Sequence, residues 1–178
     1  MIKQMSAGEL QDLAFELLPR VYTNWTNIIH NGAVEGTTKT RKGTPDMWCE
    51  TEEGHLVYIQ ATADSKQGKM YEDLKKSIDQ LKRLSREYNA LCIAFVSFDP
   101  NSIEVEKCYE LCRLSGCRFE YFQNSKIAKL LDQNHHQDLR AAFLDIPQDK
   151  PKSILVLPTL EKRQNNEGLN AFVALFLL

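Results

Sequence analysis

Asp46 and the pair Gln60-x-Thr62 are the residues of this chain whose types and spacing could do chemistry. They lie in one run, GTPDMWCETEEGHLVYIQATA. A carboxylate, a side-chain carbonyl and a hydroxyl are all oxygen donors, the ligand type that a hard cation such as Mg²⁺ takes. For them to meet, the chain between must fold back. Asp46 to Glu50 and Leu56 to Thr62 both read as strands. The polar stretch Thr51-Glu52-Glu53-Gly54-His55 between them, with its glycine, is a hairpin signal. A turn centred near Glu53 sets Asp46 opposite Gln60. Strand side chains alternate between faces, so Gln60 and Thr62 share one face and Ile59 and Ala61 take the other.

The elements that must position this ribbon can be read from apolar spacing. Ala7 to Val21 repeats apolar residues at Leu10, Leu13, Ala14, Leu17, Leu18 and Val21, which is helical, with a stop expected at Pro19-Arg20 or shortly after. Trp25 to His30 is a short strand closed by Asn31-Gly32, and residues 33–44 read as a polar loop. Lys69 to Tyr88 reads as a long helix with Met70, Leu74, Ile78, Leu81 and Leu84 on one stripe. Leu91 to Phe98, LCIAFVSF, fits a central strand covered on both faces. Ile103 to Leu114 is a second covering helix, Arg118 to Phe122 a further strand, and Ser125 to Leu131 and Gln137 to Leu144 short helices. Ser153 to Val156 is an outer-strand candidate. The order α-β-β-β-α-β-α-β predicts an α/β fold, a mixed sheet flanked by helices, because each helix must bury its stripe on a sheet face.

Composition narrows the class. The chain has 178 residues, 43% hydrophobic and 26% charged, which suits one globular domain. A net charge of −2 carries no global signature of nucleic-acid binding, so any such binding must come from a local patch. The N-terminal MIKQMSAGEL lacks a signal-peptide core, and no apolar run reaches the roughly 20 residues of a membrane helix. A cytoplasmic protein is expected. The five cysteines include Cys108, Cys112 and Cys117. An odd count argues against a disulfide framework. Zinc would want two short Cys/His pairs and no clear second pair is nearby, so the cysteines read as small buried residues.

The element order, with Pro45-Asp46 and Gln60-x-Thr62, resembles the PD-(D/E)xK nuclease superfamily, the restriction-endonuclease-like fold. The opening GELQDLAFELL resembles the first helix of nucleases that cut foreign DNA. The run GTTKTRKGTPDMWCETEEGHLVYIQATA is similar to nuclease-like modules at the N-terminus of bacterial defence NTPases. The resemblance covers about residues 6 to 145. It implies Mg²⁺- or Mn²⁺-dependent hydrolysis of phosphodiesters, in DNA above all, within a defence system. Asp46 would be the metal-binding aspartate of the motif and Gln60 would stand at its second acidic position. Thr62 stands where the family usually has lysine, and threonine supplies no positive charge. Some members recruit a lysine from the following helix. Lys69, Lys75 and Lys76 are the candidates here, with Lys76 preferred. Gln11 occupies a place where glutamate is often found, with Glu16 as a fallback. With amides in place of carboxylates, two outcomes stay open. Either the enzyme is active only with DNA bound, or the module has a degenerate site and binds DNA or mediates assembly.

Lys39, Arg41 and Lys42 form a basic loop that runs directly into Asp46, where they could neutralise phosphates in a salt-dependent way. The basic face of Lys75 to Arg86 reads as solvated surface. His30, His135 and His136 read as surface or structural residues. Two regions are expected, a nuclease-like domain over 1–145 and a C-terminal extension over 146–178 that ends in AFVALFLL. That extension could be the start of a linker or lost domain. A homodimer and an NTPase domain or partner are the protein partners implied, with no membrane.

Overall fold

The computed structural model describes residues 2–31, 45–83 and 89–149. Five strands form one mixed sheet in sequence order: β1 (Trp25–His30), β2 (Met47–Thr51), β3 (Leu56–Thr62), β4 (Leu91–Val96) and β5 (Arg118–Phe122). β1, β2 and β3 are antiparallel neighbours, while β3–β4 and β4–β5 are parallel. Antiparallel neighbours can be joined by short turns, but parallel ones need crossovers. The crossovers here are the helices α2 (Lys69–Arg83) and α3 (Ser102–Leu114). The α/β class and the helix-flanked mixed sheet are therefore as the apolar spacing predicts.

The hairpin has the expected register. Met47 pairs with Ile59 and Glu50 with Leu56, and Gly54 takes φ +80° in the turn. Ile59 and Ala61 face the first helix, α1 (Ala7–Val21), in one half of the core. That half also takes Leu10, Leu13, Leu17, Met47, Phe95 and Phe122. On the other face Met70, Leu74, Ile78 and Leu81 of α2 pack with Tyr58, Cys92 and Val96. β4 contributes to both halves and is buried along its length, as a central strand must be.

α1 ends at Val21, as expected; a proline so near the helix end forfeits only its own N–H bond, while Tyr22 N–H still reaches the Leu18 carbonyl. Other boundaries shift by one or two residues, and β2 runs over Met47–Thr51 rather than Asp46 to Glu50. β4 stops at Val96; the Ser97 N–H still reaches the Thr62 carbonyl at 3.3 Å, and its hydroxyl donates to the Ala63 carbonyl at 3.1 Å. α3 begins at Ser102, with the Asn101 side chain capping the Glu104 N–H. α2 is described to Arg83. Residues 84–88, the 33–44 loop and the Ser153 to Val156 strand candidate lie outside the described residues.

Two short helices complete the α1 side, α4 (Asn124–Leu131) and α5 (Gln137–Leu144). Beyond α5 the chain stays attached. Arg140 pairs with Asp132 at 3.0 Å and Asp149 at 2.9 Å, and its guanidinium also donates to the Pro147 carbonyl. Those contacts reach past the expected boundary at 145. At the outer side of β5, Lys126 sits 3.6 Å over the Phe122 ring and donates to the Tyr121 carbonyl. All five cysteines are buried and none forms a disulfide. Cys92 lies beside Cys112 and Cys117, and hydrogen bonding among these thiols together with burial pushes its thiol far above the usual range, so it stays protonated. No helix among the described residues is long and apolar enough to cross a membrane.

Candidate functional site

The site forms where β2 begins and β3 ends, at the open end of the hairpin. Asp46 lies one residue before β2 and is buried, 5% exposed. Its carboxylate accepts three hydrogen bonds. Oδ1 takes one from Gln11 Nε2 of α1 at 2.8 Å, and Oδ2 takes one from the Ala61 backbone N–H at 2.8 Å and one from Gln60 Nε2 at 2.5 Å. The alternation of β3 decides who meets whom. Gln60 and Thr62 turn together towards α2, as the hairpin argument requires.

Each of those two polar groups finds a partner on α2. Ser77 donates its hydroxyl to Gln60 Oε1 at 3.0 Å, and Thr62 donates to Asp73 Oδ2 at 3.1 Å. Asp73 Oδ1 in turn receives Lys69 at 2.5 Å and Lys76 at 2.8 Å. The two ammonium groups therefore stand one carboxylate away from Thr62. Lys75 points elsewhere, pairing with Asp79 at 2.7 Å, and Glu16 is exposed on α1.

Electrostatics separate the two carboxylates. Burial is the main cause that pushes the Asp46 carboxyl up to about 6, and the nearby Asp73 charge adds to it. The bonds from Ala61 and Gln60, and the charge of Lys69, act against that rise without cancelling it. Burial also works to raise Asp73, but the hydrogen bonds from Lys69 and Lys76 outweigh it and hold the group below the ordinary aspartate value. One carboxylate is thus easily protonated and its neighbour firmly ionised. Lys69 is the lysine whose charge is felt at Asp46.

The donor set suits a hard cation in type. Among the described residues no three His, Cys, Asp or Glu side chains are grouped to hold a metal ion, so an ion would have to draw on amide oxygens. Gln11 offers one: its Oε1 is buried beside Asp46 and has no hydrogen-bond partner. Gln60 offers a second if its amide turns over, since its nitrogen now faces Asp46 and its oxygen faces Ser77. Asp46, Gln11 and Gln60 would then supply only oxygen, the chemistry Mg²⁺ or Mn²⁺ takes.

Of the residues singled out from the sequence, Asp46, Gln60 and Gln11 form one hydrogen-bonded group and Thr62, Lys69 and Lys76 join a second through Asp73; the charges of Asp73 and Lys69 are felt at Asp46. Lys39, Arg41 and Lys42 lie outside the described residues. His30 stacks on Phe15 with centroids 5.0 Å apart, and His136 is buried with Nδ1 3.0 Å from the Leu130 carbonyl; both are packed into the α1 side. Asp73 and Ser77 were not singled out. Their signal is positional: the stripe of Met70, Leu74, Ile78 and Leu81 is broad enough to include positions 73 and 77, and polar residues there must face the core. A cleft lined by Gln67, Tyr71, Asn101, Ile103 and Glu104 includes none of these groups. Set against family models, curated proteins and solved structures, the chain has no match.

Proposed function

We propose that this chain is a metal-dependent phosphodiesterase of the PD-(D/E)xK type, with the restriction-endonuclease-like variant of the α/β fold and with DNA as its substrate. The observation that carries this reading is the convergence on one hairpin end of Asp46, Gln60 and two lysine ammonium groups, the latter brought through Asp73 to the side of Thr62. A threonine leaves the usual lysine position without charge, and α2 supplies that charge instead. The resemblance of KGTPD and Gln60-x-Thr62 to modules of defence NTPases is the reason to expect a role against foreign DNA, in the cytoplasm.

Asp46, Gln60 and Gln11 would hold Mg²⁺ or Mn²⁺. When bound, the ion polarises a phosphate oxygen and activates water. The protein's own part is to bind and orient. Burial of Asp46 excludes water from one side of the carboxylate, and the Ala61 N–H fixes its direction. Lys69 and Lys76 offset negative charge that develops on the phosphate, an effect worth most where groups are already in place.

A second reading is a module that binds DNA, or assembles with an NTPase or a second copy, without cutting. It is favoured by one observation: the Gln60 amide presents nitrogen, not oxygen, to Asp46. Incubation of supercoiled plasmid with Mg²⁺ or Mn²⁺, beside an Asp46→Ala control, separates the two. Metal-dependent nicking that disappears in the control supports the phosphodiesterase. Nicking that survives it removes the proposed site. Absence of nicking, with DNA binding that weakens as salt rises, supports the binding module.

A further inference from the structure

We infer that Asp73 is a positioning residue of this site, holding Lys69 and Lys76 as a two-cation seat for a substrate phosphate; the inference rests on the phosphodiesterase reading. Asp73 is 8% exposed and accepts from three side chains, Thr62 on Oδ2 and both lysines on Oδ1. Two ammonium groups on a single oxygen carry more positive charge than that carboxylate neutralises, and the nearby Glu72 charge also acts on Lys76. The excess faces outward, because the Lys69 and Lys76 side chains are 26% and 59% exposed.

A purely structural ion pair needs one cation, and partly exposed pairs of this kind add little stability. The arrangement makes more sense as a seat. Lys69 and Lys76 approach Asp73 from opposite directions along α2, at i,i+4 and i,i+3 spacing, and each ammonium commits a donor to the carboxylate. An ammonium has three donors, so each keeps others for an incoming anion. The Thr62 hydroxyl ties the same carboxylate to β3, two residues from Gln60. Asp73 therefore couples the cations of α2 to the strand that carries the metal-site amide. The ligand chemistry that matches a pair of ammonium groups fixed on Asp73, one of them acting by its charge on Asp46, is a phosphodiester oxygen.

The lysines are also unequal. Lys69 is the less exposed of the two and lies nearer Asp46 in effect, while Lys76 reaches further into solvent. Lys69 is assigned to the phosphate being cut and Lys76 to the outer side of the same seat.

Asp73→Asn removes the charge and keeps an oxygen that Thr62 can still donate to. Cleavage of plasmid in Mg²⁺ should fall by about tenfold or more, chiefly in kcat, because the cations lose their fixed position. Binding of a DNA duplex in chelator should move the other way. It should tighten several-fold, with a salt slope steeper by about one, because the freed charge engages a further phosphate. Opposite movements of cutting and binding are not produced by a loss of packing. Thr62→Val, with thermal melting followed for both variants, gives a milder perturbation and should lower cleavage in the same direction. Unchanged cleavage in Asp73→Asn, or cleavage and binding that fall together with the melting temperature, would overturn the role of Asp73. If the wild type cuts and Asp46→Ala does not, that result leaves the phosphodiesterase standing. If neither wild type nor Asp46→Ala cuts, the phosphodiesterase falls and the role of Asp73 in it falls with it.

Discussion

Asp46→Asn should make the protein more stable at neutral pH. The folded protein holds the Asp46 carboxyl at about 6 against an ordinary value of 3.8, chiefly because the group is buried. At about 1.4 kcal/mol per pH unit, that difference corresponds to about 3 kcal/mol. The sign follows from proton binding. Between 3.8 and about 6 the folded state holds more protons than the unfolded chain, so stability falls as pH rises through that window and the full cost is present above it. An asparagine carries no charge and is spared this cost. It also accepts hydrogen bonds less strongly than a carboxylate does from Gln11, Gln60 and Ala61, which offsets about 1–2 kcal/mol. Part of that loss is recovered, because the asparagine N–H₂ can donate to the unpartnered Gln11 Oε1. The net expectation is a gain of about 1–2 kcal/mol at pH 8, shrinking towards zero or reversing by about pH 4. Urea unfolding of both proteins at the two pH values measures it. A variant less stable than wild type at pH 8, or a difference that does not change with pH, would refute the reasoning.

Two further outcomes can be stated. Gln60→Glu places a second carboxylate against Asp46, so the protein should be destabilised by about 1–3 kcal/mol without divalent cation and should bind Mg²⁺ about tenfold or more tightly, read by calorimetric titration and by melting with and without Mg²⁺. Ser6→Ala removes the capping box in which Ser6 and Glu9 satisfy each other's backbone N–H groups at the start of α1, and should cost about 1 kcal/mol in urea unfolding without altering cation binding.

What the sequence made legible, and what it hid, follows from how local each contact is. The hairpin register could be read because a glycine turn and a two-residue alternation fix it within a short stretch. The burial of β4 could be read because a strand apolar on both faces has few other places to go. The Asp46–Gln60 contact follows from that register alone. Asp73 is different. Its helical spacing to Lys69 and Lys76 is visible in the chain, but its bond to Thr62 depends on how α2 crosses over between β3 and β4. Ser77 was hidden for the same reason. The Gln60 amide orientation could not be read at all, since it is decided jointly by Asp46 just before β2 and Ser77 on a helix. Sequence spacing preferred Lys76 among the candidate lysines. The structure brings both Lys69 and Lys76 to Asp73, and it is Lys69 whose charge acts at Asp46.

The lysine over Phe122 has a consequence for how this protein behaves at high concentration. Among the described residues β5 is an edge strand, and an edge strand offers unpaired backbone groups to any other strand that meets it. Lys126 occupies the Tyr121 carbonyl and places its ammonium, held by the aromatic face beneath, on that edge. A second chain adding itself to the sheet there would have to displace the bond and bury a charge. The side chain thus works as a guard against aggregation. It also implies that a second copy of this chain would extend the sheet at β5 only by first displacing that ammonium.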